Sequence, residues 1–221
     1  MEEQFIEYCR YNNLNGIKEL INTYQLLPNS IIDNGFVWAC NKGYFHITEY
    51  LINLYKTNLY YDVINIAQID GGCLLACEHG YLHIIEYLIS LYKNDKNYKK
   101  INIHADDELG FQSACNNGYL HVVMYLINLY KINPDYKMID IHAGNDAGFR
   151  WACENENVHI IKYLINLYKN DMNYIINTRA QNDYGFRYAS VNRNKYIIKY
   201  LINLGNYYPP YHYWTGIIIL L

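Results

Sequence analysis

The sequence predicts an all-α fold, a solenoid of stacked helix-turn-helix units joined by long hairpin-like loops. Three observations predict it. A 17-residue phrase runs from Ala39 to Tyr55 and returns from Ala76 to Tyr92, Ala114 to Tyr130 and Ala152 to Tyr168, with a weaker copy from Ala189 and a degenerate one around Tyr8 to Tyr24. The leading alanines stand 37, 38, 38 and 37 residues apart, and a fixed period of this size means stacked units, not one closed core. Inside the phrase, Val122, Tyr125, Leu126 and Leu129 fall at i, i+3, i+4 and i+7, the spacing of an amphipathic helix. Gly43, Gly80 and Gly118 interrupt their copies at one place, where glycine permits the left-handed conformation that stops a helix.

The copies divide the chain at 1–28, 29–65, 66–103, 104–141, 142–178 and 179–206, forming one domain, and leave an aromatic and proline-containing tail at 207–221. In each full copy an acidic residue sits six positions before the alanine: Asp33, Asp70, Glu108, Asp146 and Asp183. A carboxylate suits an N-cap, where it accepts the orphan N–H groups of the first turn, so the first helix is expected to be brief. The second helix follows at once, and Ile127 and Tyr130 widen its apolar stripe, as expected for a helix covered on both sides. A polar segment comes next, then an Ile-containing stretch such as Ile101-Asn102-Ile103-His104-Ala105, echoed at Ile139 to Ala143, which fits a hairpin-like connection. Cys9, Cys40, Cys77, Cys115 and Cys153 occupy one repeat position. Stacked helices lie about 8–10 Å apart and a disulfide needs Cα atoms within about 7 Å, so these cysteines are expected to be small buried hydrophobes.

Composition narrows the function classes. Hydrophobic residues make up 52% of the chain, ample for a continuous core, and the formal net charge is −3, which argues against a nucleic-acid footprint. Met1-Glu2-Glu3-Gln4 is acidic and polar, unlike a signal peptide, and no run approaches the roughly 20 apolar residues of a membrane span. An intracellular, reducing setting without membrane contact is expected. The 27 tyrosines and the over-used Asn and Ile point to AT-rich coding rather than to an activity.

The copies resemble an ankyrin repeat. Ala114-Cys115-Asn116-Asn117-Gly118-Tyr119-Leu120 matches the Ala-Ala-x-x-Gly-His-Leu core of that motif, and Val122-Val123-Met124-Tyr125-Leu126-Ile127 matches its Ile-Val-x-x-Leu-Leu. More narrowly, Asn145 to Asn155 with His159 to Leu164 resembles the divergent ankyrin repeats carried in large families by giant DNA viruses of the mimivirus type. The resemblance covers roughly residues 1 to 206. It implies an ankyrin-repeat solenoid, a protein partner, and, for a viral chain, the host cytoplasm. Two departures stand out. Gly-Phe plus a variable residue, as in Gly110-Phe111-Gln112, replaces the usual Thr-Pro-Leu-His opening. The period also exceeds the roughly 33 residues of an ankyrin repeat. The excess falls after the second helix and predicts a longer helix or longer loop tips.

Catalytic and metal chemistry find little support in the residues. There is no Gly-x-Ser-x-Gly, P-loop, dinucleotide fingerprint or His-Glu-x-x-His, so no enzyme activity and no cofactor are expected. His46, His83, His121 and His159 share one repeat position. Side chains about 10 Å apart along a stack cannot converge on one zinc ion, whose ligands each lie about 2 Å away; a packing or helix-start role is expected. Cys73 and Cys77 share a helix face, but Cys73 stands where other copies have Phe, and a core substitution is the simpler account. The tail at Tyr207 to Trp214 is close to a Pro-Pro-x-Tyr ligand, with His212 in place of the tyrosine; a cap over the last repeat is the favoured role.

Comparison among the copies locates a surface. Positions fixed by stacking should recur, and positions free of it drift. The residue before the alanine drifts through Trp38, Leu75, Ser113, Trp151 and Tyr188, and those two and three after it through Asn41 and Lys42, Glu78 and His79, Asn116 and Asn117, Glu154 and Asn155. These positions are three and four apart, hence on one helix face. In the ankyrin architecture that face lines the concave groove. Trp38, Trp151 and Tyr188 are either partner anchors or plugs between repeats. The expected function is a monomeric protein-binding scaffold, with an assembly role, contacting itself or other viral components, as the alternative.

Overall fold

The structure, a computed structural model, describes residues 1–24, 27–167, 176–178 and 180–204. Among the described residues there are twelve helices and no strand. Each of the six predicted copies contains a helix pair. The chain divides into two compact units, Met1–Ala105 and Asp106–Leu221. The first holds α1 (Glu2–Arg10), α2 (Leu14–Tyr24), α3 (Asn29–Lys42), α4 (Phe45–Thr57), α5 (Ile66–His79) and α6 (Leu82–Asn94). There α1 packs on α3 and α3 on α5, while each first helix also packs on its own second helix. The second unit repeats the plan with α7 (Ala105–Asn116), α8 (Leu120–Ile132), α9 (Ala143–Glu154), α10 (Val158–Leu167), α11 (Ala180–Val191) and α12 (Lys195–Asn203), α9 lying against α11. The tail and its expected capping role lie outside the described residues.

First helices meet through a recurring steric fit that explains the Gly-Phe pair. A Cβ added to Gly35 would lie 2.6 Å from Cε1 of Phe5 and 2.8 Å from Sγ of Cys9. One added to Gly72 would lie 2.8 Å from Phe36 and 3.0 Å from Cys40, and one added to Gly148 would lie 2.8 Å from Phe111 and 3.2 Å from Cys115. Gly185 receives Cys153 and Phe149 in the same way. The phenylalanine and cysteine of one repeat thus enter the space left by the missing side chain of the next. Phe5, Phe36, Phe111, Phe149 and Phe186 are fully buried. The cysteines are free and buried, and burial raises the Cys9 thiol to about 12, keeping it protonated and inert.

The helix stop is as expected. Gly43 adopts φ 75° and ψ 21°, its N–H meets the Cys40 carbonyl, and Tyr44 N–H reaches back to Ala39 at 2.9 Å, closing both bonds of a Schellman motif. Glu156 (φ 60°) and Arg193 (φ 57°) hold the same position without glycine.

Asp33 and Asp70 do not cap their helices. Asp33 and Asp70 lie inside α3 and α5, which begin at Asn29 and Ile66 and run 14 residues, so the first helices there are not brief. The carboxylates instead tie down the connector that follows. Asp33 accepts the Asn65 N–H (3.3 Å), Asp70 that of Asn102 (3.0 Å) and Glu108 that of Asp140 (3.1 Å). Asp146 takes the Asn177 N–H in the same way. A side chain one repeat earlier thus holds each of these connectors by a backbone N–H.

The connectors contain no hairpin ladder among the described residues. Two side-chain turns shape each one. Asn58, Asp95 and Asn133 each accept the N–H two residues ahead, and so do Asn65, Asn102 and Asp140, competing with regular structure in the usual way for Asx residues. Between these turns a buried tyrosine fills the connector, at Tyr61, Tyr98 and Tyr136. Tyr98 donates to the Ile52 carbonyl at 2.7 Å, and the Tyr61 oxygen accepts the Leu27 N–H at 3.3 Å. The second helices α4, α6 and α8 each run 13 residues before these connectors, consistent with the long period.

The two units enter their first helices differently. In the second unit, Asp106-Asp107-Glu108, Gly144-Asn145-Asp146 and Gln181-Asn182-Asp183 all have positive φ, a left-handed turn ahead of the right-handed helix. Each L residue there costs roughly 1–2 kcal/mol, least for Asn and Asp. The first unit has Ile31-Ile32 and Ile69 in the corresponding stretches. β-Branched residues avoid that region, and the right-handed helix simply begins earlier.

Two predictions follow from this packing. Gly71 and Gly72 are neighbours on α5, but an added Cβ at Gly71 meets nothing within 4 Å. Gly71→Ala should raise stability by about 1 kcal/mol, the helix-propensity gain. Gly72→Ala should lower it by about 1–3 kcal/mol through overpacking. Urea unfolding of both variants checks the opposite signs; a gain in both would show that the steric fit has slack.

The second concerns Asp95, which is bridged to Lys56 at 2.9 Å and accepts the Tyr55 hydroxyl. Burial pushes its carboxyl up, but the hydrogen bonds from Tyr55, Lys56 and the Asn97 N–H outweigh that and lower it from 3.8 to about 2. Its stabilisation is therefore complete above about pH 4 and lost as pH falls through about 2. Asp95→Asn should be less stable than the native chain at neutral pH, and that difference should vanish by about pH 2 in urea titrations.

Candidate partner-binding face

The drifting positions are accessible and the recurring ones are not. Ala39, Ala76, Ala114, Ala152 and Ala189 are fully buried. Trp38, Asn41, Leu75, His79, Ser113, Asn116, Trp151, Glu154 and Tyr188 are half-buried, and Lys42, Glu78, Asn117 and Asn155 are exposed. The split follows from helix geometry, since residues three and four apart share a face that turns away from the Ala-Cys seam.

In the first unit, α3 presents Trp38, Asn41 and Lys42 and α5 presents Leu75, Glu78 and His79. Asn41 Nδ2 and His79 Nε2 lie 3.3 Å apart, joining the two helices. The Arg10 guanidinium stacks 4.6 Å from the Trp38 ring centroid. In the second unit, Asn155 on α9 donates to Asn116 Oδ1 on α7 at 2.8 Å, and Asn116 donates to Asn117. Glu154 accepts the Tyr184 hydroxyl at 2.7 Å, and its carbonyl accepts Asn192 Nδ2 at 2.7 Å. Tyr184 and Tyr188 stack with centroids 4.4 Å apart. Burial, with Glu154 beside it, pushes the Tyr184 phenol up and keeps it a donor. Each unit thus carries its own row of the predicted residues on consecutive first helices.

Sequence comparison missed Arg10, Arg150 and Tyr184. Arg150 Nε and Nη2 donate to the carbonyls of Asn145 (3.0 Å) and Gly144 (2.9 Å), and its guanidinium lies 4.9 Å from the Tyr184 ring. The carbonyls of the left-handed turn thus orient the arginine, and the arginine flanks the aromatic pair. Gln112 and Arg187, at the same repeat position, donate to Asp107 and Gln181. The first unit has Val37 and Leu74 there and no such turn. A donor at this position accompanying an Asn/Asp-rich entry was the available signal. Tyr184 was visible only as the aromatic four residues before Tyr188.

The shared histidines stand second in α4, α6, α8 and α10 with exposed side chains, at the helix start, and His83 also meets Phe45 of the preceding repeat edge-on with centroids 5.7 Å apart. Among the described residues no group of three or more His, Cys, Asp or Glu could hold a metal ion, and no helix is long and apolar enough to cross a membrane. Two clefts of the first unit, of about 400 Å³ around Asp33, Asp62 and Tyr98 and about 370 Å³ around Lys18, Glu49 and Tyr50, include none of the predicted face residues. Comparison with family models, curated proteins and solved structures returns no match.

The Arg150 contacts make a prediction. Arg150→Leu removes both donors from the left-handed turn and should cost about 1–2 kcal/mol, whereas Val37→Leu, at the equivalent position without such a turn, should stay within about 0.5 kcal/mol. Denaturant unfolding of the two variants distinguishes them.

Proposed function

We propose that the chain is a non-catalytic protein-binding scaffold, an ankyrin-repeat solenoid of the divergent type found in giant DNA viruses, which captures a host or viral protein inside the cell. One observation supports this most: on the first helices, the face beside the alanine that differs between copies is accessible, while the recurring alanine, cysteine and Gly-Phe positions are buried. Variation on a solvent-facing stripe of an otherwise recurring helix is where specificity would lie. Trp38 and Tyr188 are held by stacking on Arg10 and Tyr184, which reduces the rotamer entropy lost on binding. They and Trp151 are the aromatic anchors of the reading, with the connector tips as a secondary contact. No cofactor enters it.

The test compares the full chain with its Trp38→Ala/Trp151→Ala/Tyr188→Ala variant as baits in source-cell extract, identified by mass spectrometry. Proteins retained by the native chain and lost by the variant, with a thermal midpoint lowered by only a few degrees, support the reading. Equal retention by both baits, or a collapse of the midpoint, would sink it.

A further inference from the structure

The second-helix faces carry charges that the first-helix face does not explain. Glu49, Glu86, Met124, Lys162 and Lys199 occupy one repeat position, 37, 38, 38 and 37 residues apart. Stacking does not dictate their identity, since one position accepts both signs of charge and a thioether. Glu49, Glu86, Met124 and Lys199 are exposed, and Lys162 is half-buried. Helices α8, α10 and α12 contain no Asp or Glu but contain Lys131, Lys162, Lys195 and Lys199. In the first unit α4 and α6 carry Glu49 and Glu86; the lysine near the end of α4, Lys56, is committed to Asp95, and that near the end of α6, Lys93, lies over the Tyr92 ring. Lys18, the equivalent residue on α2, lies over the Tyr50 ring at 5.4 Å and ends the acidic stretch.

The two pairs match in geometry as well as in sign. Glu49 and Glu86 stand on helices that touch, joined by the bond from Asn53 to the Tyr87 hydroxyl at 3.0 Å. Lys162 and Lys199 stand on α10 and α12, joined where the Lys162 ammonium lies 4.7 Å from the Tyr196 centroid. Each pair is one repeat step apart, 37 residues, so both sit on neighbouring second helices at the same repeat position. Among the described residues none of the four has an ion-pair partner within the chain.

We propose that the α4–α6 face bearing Glu49 and Glu86 docks onto the α10–α12 face bearing Lys162 and Lys199 of a second copy of the chain. The chain thus carries both halves of one charge-complementary contact, each on its own unit, and exchanges them between molecules. Because the contact uses the same two patches on every copy, it closes a dimer or propagates into longer oligomers, depending on the symmetry. Exposed charge pairs are weak and screened by salt, so association is salt-sensitive and develops at micromolar concentration or above. This departs from the monomer expected from sequence, and it uses a different face from the partner site proposed above, so either can fail alone.

The test is a charge swap on the full chain, read by sedimentation velocity at ~0.01 M and ~1 M salt, where the Debye length is roughly 30 and 3 Å. The native chain should associate at low salt, with an association constant at least about tenfold lower at high salt. Glu49→Lys/Glu86→Lys and Lys162→Glu/Lys199→Glu should each be monomeric at low salt, because every available face then has one sign. Mixed in equal amounts, they should associate again, since each supplies the charge the other lost. Unchanged helical circular dichroism in both variants separates lost association from lost folding. A native chain monomeric at low salt, variants that associate as the native chain does, or a mixture that stays monomeric overturns the proposal. A monomeric native chain that binds polyglutamate through Lys162 and Lys199 overturns it too, and gives the basic face to an acidic partner instead.

Discussion

The structure depends on the absence of a side chain at Gly35, Gly72, Gly148 and Gly185. At each, the phenylalanine ring and cysteine sulfur of the preceding repeat come so close that a Cβ would lie about 2.6–3.4 Å from them. Two helices approach this closely only where one surface is stripped to backbone, and glycine inside a helix otherwise costs about 1 kcal/mol. That cost is offset by complete burial of a phenylalanine at each of these four glycines, which contributes about 1.5–3 kcal/mol. The fit is directional: at these steps the earlier repeat presents a ring and a thiol and the later one a glycine slot, while the third repeat has Cys73 in the ring's place. It accepts only a neighbour in the same register, so the period of the sequence becomes the period of the stack.

Once first helices are held this closely, the long connectors must satisfy their backbone without a sheet. The carboxylates of Asp33, Asp70, Glu108 and Asp146 do so by reaching one repeat forward. Burial raises Asp33 and Asp146 above the ordinary carboxylate range, against the lowering effect of the N–H bonds they accept. The tie therefore links connector and first helix at some electrostatic cost to the carboxylate. The buried Tyr61 and Tyr98 work in the same gap, each joining a connector to the preceding repeat. Ring packing, carboxylate tie and tyrosine bond all run between neighbours, so a repeat is completed only by the next.

How much of this was legible depended on whether a feature leaves a trace in one copy or only between copies. The helix pairs and the stops at Gly43, Gly80 and Gly118 are local and were readable from spacing. So were the accessible positions on the first helices of each unit, Trp38 and Glu78 in the first and Asn116 and Trp151 in the second, because drift among copies marked them. The Gly-Phe pair was visible as a motif, but its cause was not, since the contact lies 26 to 37 residues away. Asp33 and Asp70 were misassigned for the same reason: an Asp near a helix start suits a cap, and only the stack reveals the N–H it reaches. Tyrosine abundance was read as coding bias, yet Tyr61, Tyr98 and Tyr136 recur at buried connector positions. The left-handed entries were hidden differently. Their signal is a pairing of Asn/Asp-rich entry with a donor at Gln112, Arg150 or Arg187, and neither half means much alone.

The same division separates what the stack fixes from what it leaves free. Glycine slot, ring and thiol bind the first helices edge to edge, and the second helices add their Ile-Leu stripe. Two rows of side chains vary outside that packing, one beside the alanine on the first helices and one four residues into the second. They vary in different ways. The first row mixes aromatic, amide and charged groups tied to one another, as in Arg10 over Trp38 and Tyr184 on Tyr188. The second changes from Glu49 and Glu86 to Lys162 and Lys199, with no ion pair among the four. A short-range, shape-dependent surface and a long-range, salt-dependent one can share a scaffold because neither touches the glycine slots. On the proposed readings, a substitution in either row would alter recognition without loosening the stack, whereas one at the slots would alter both.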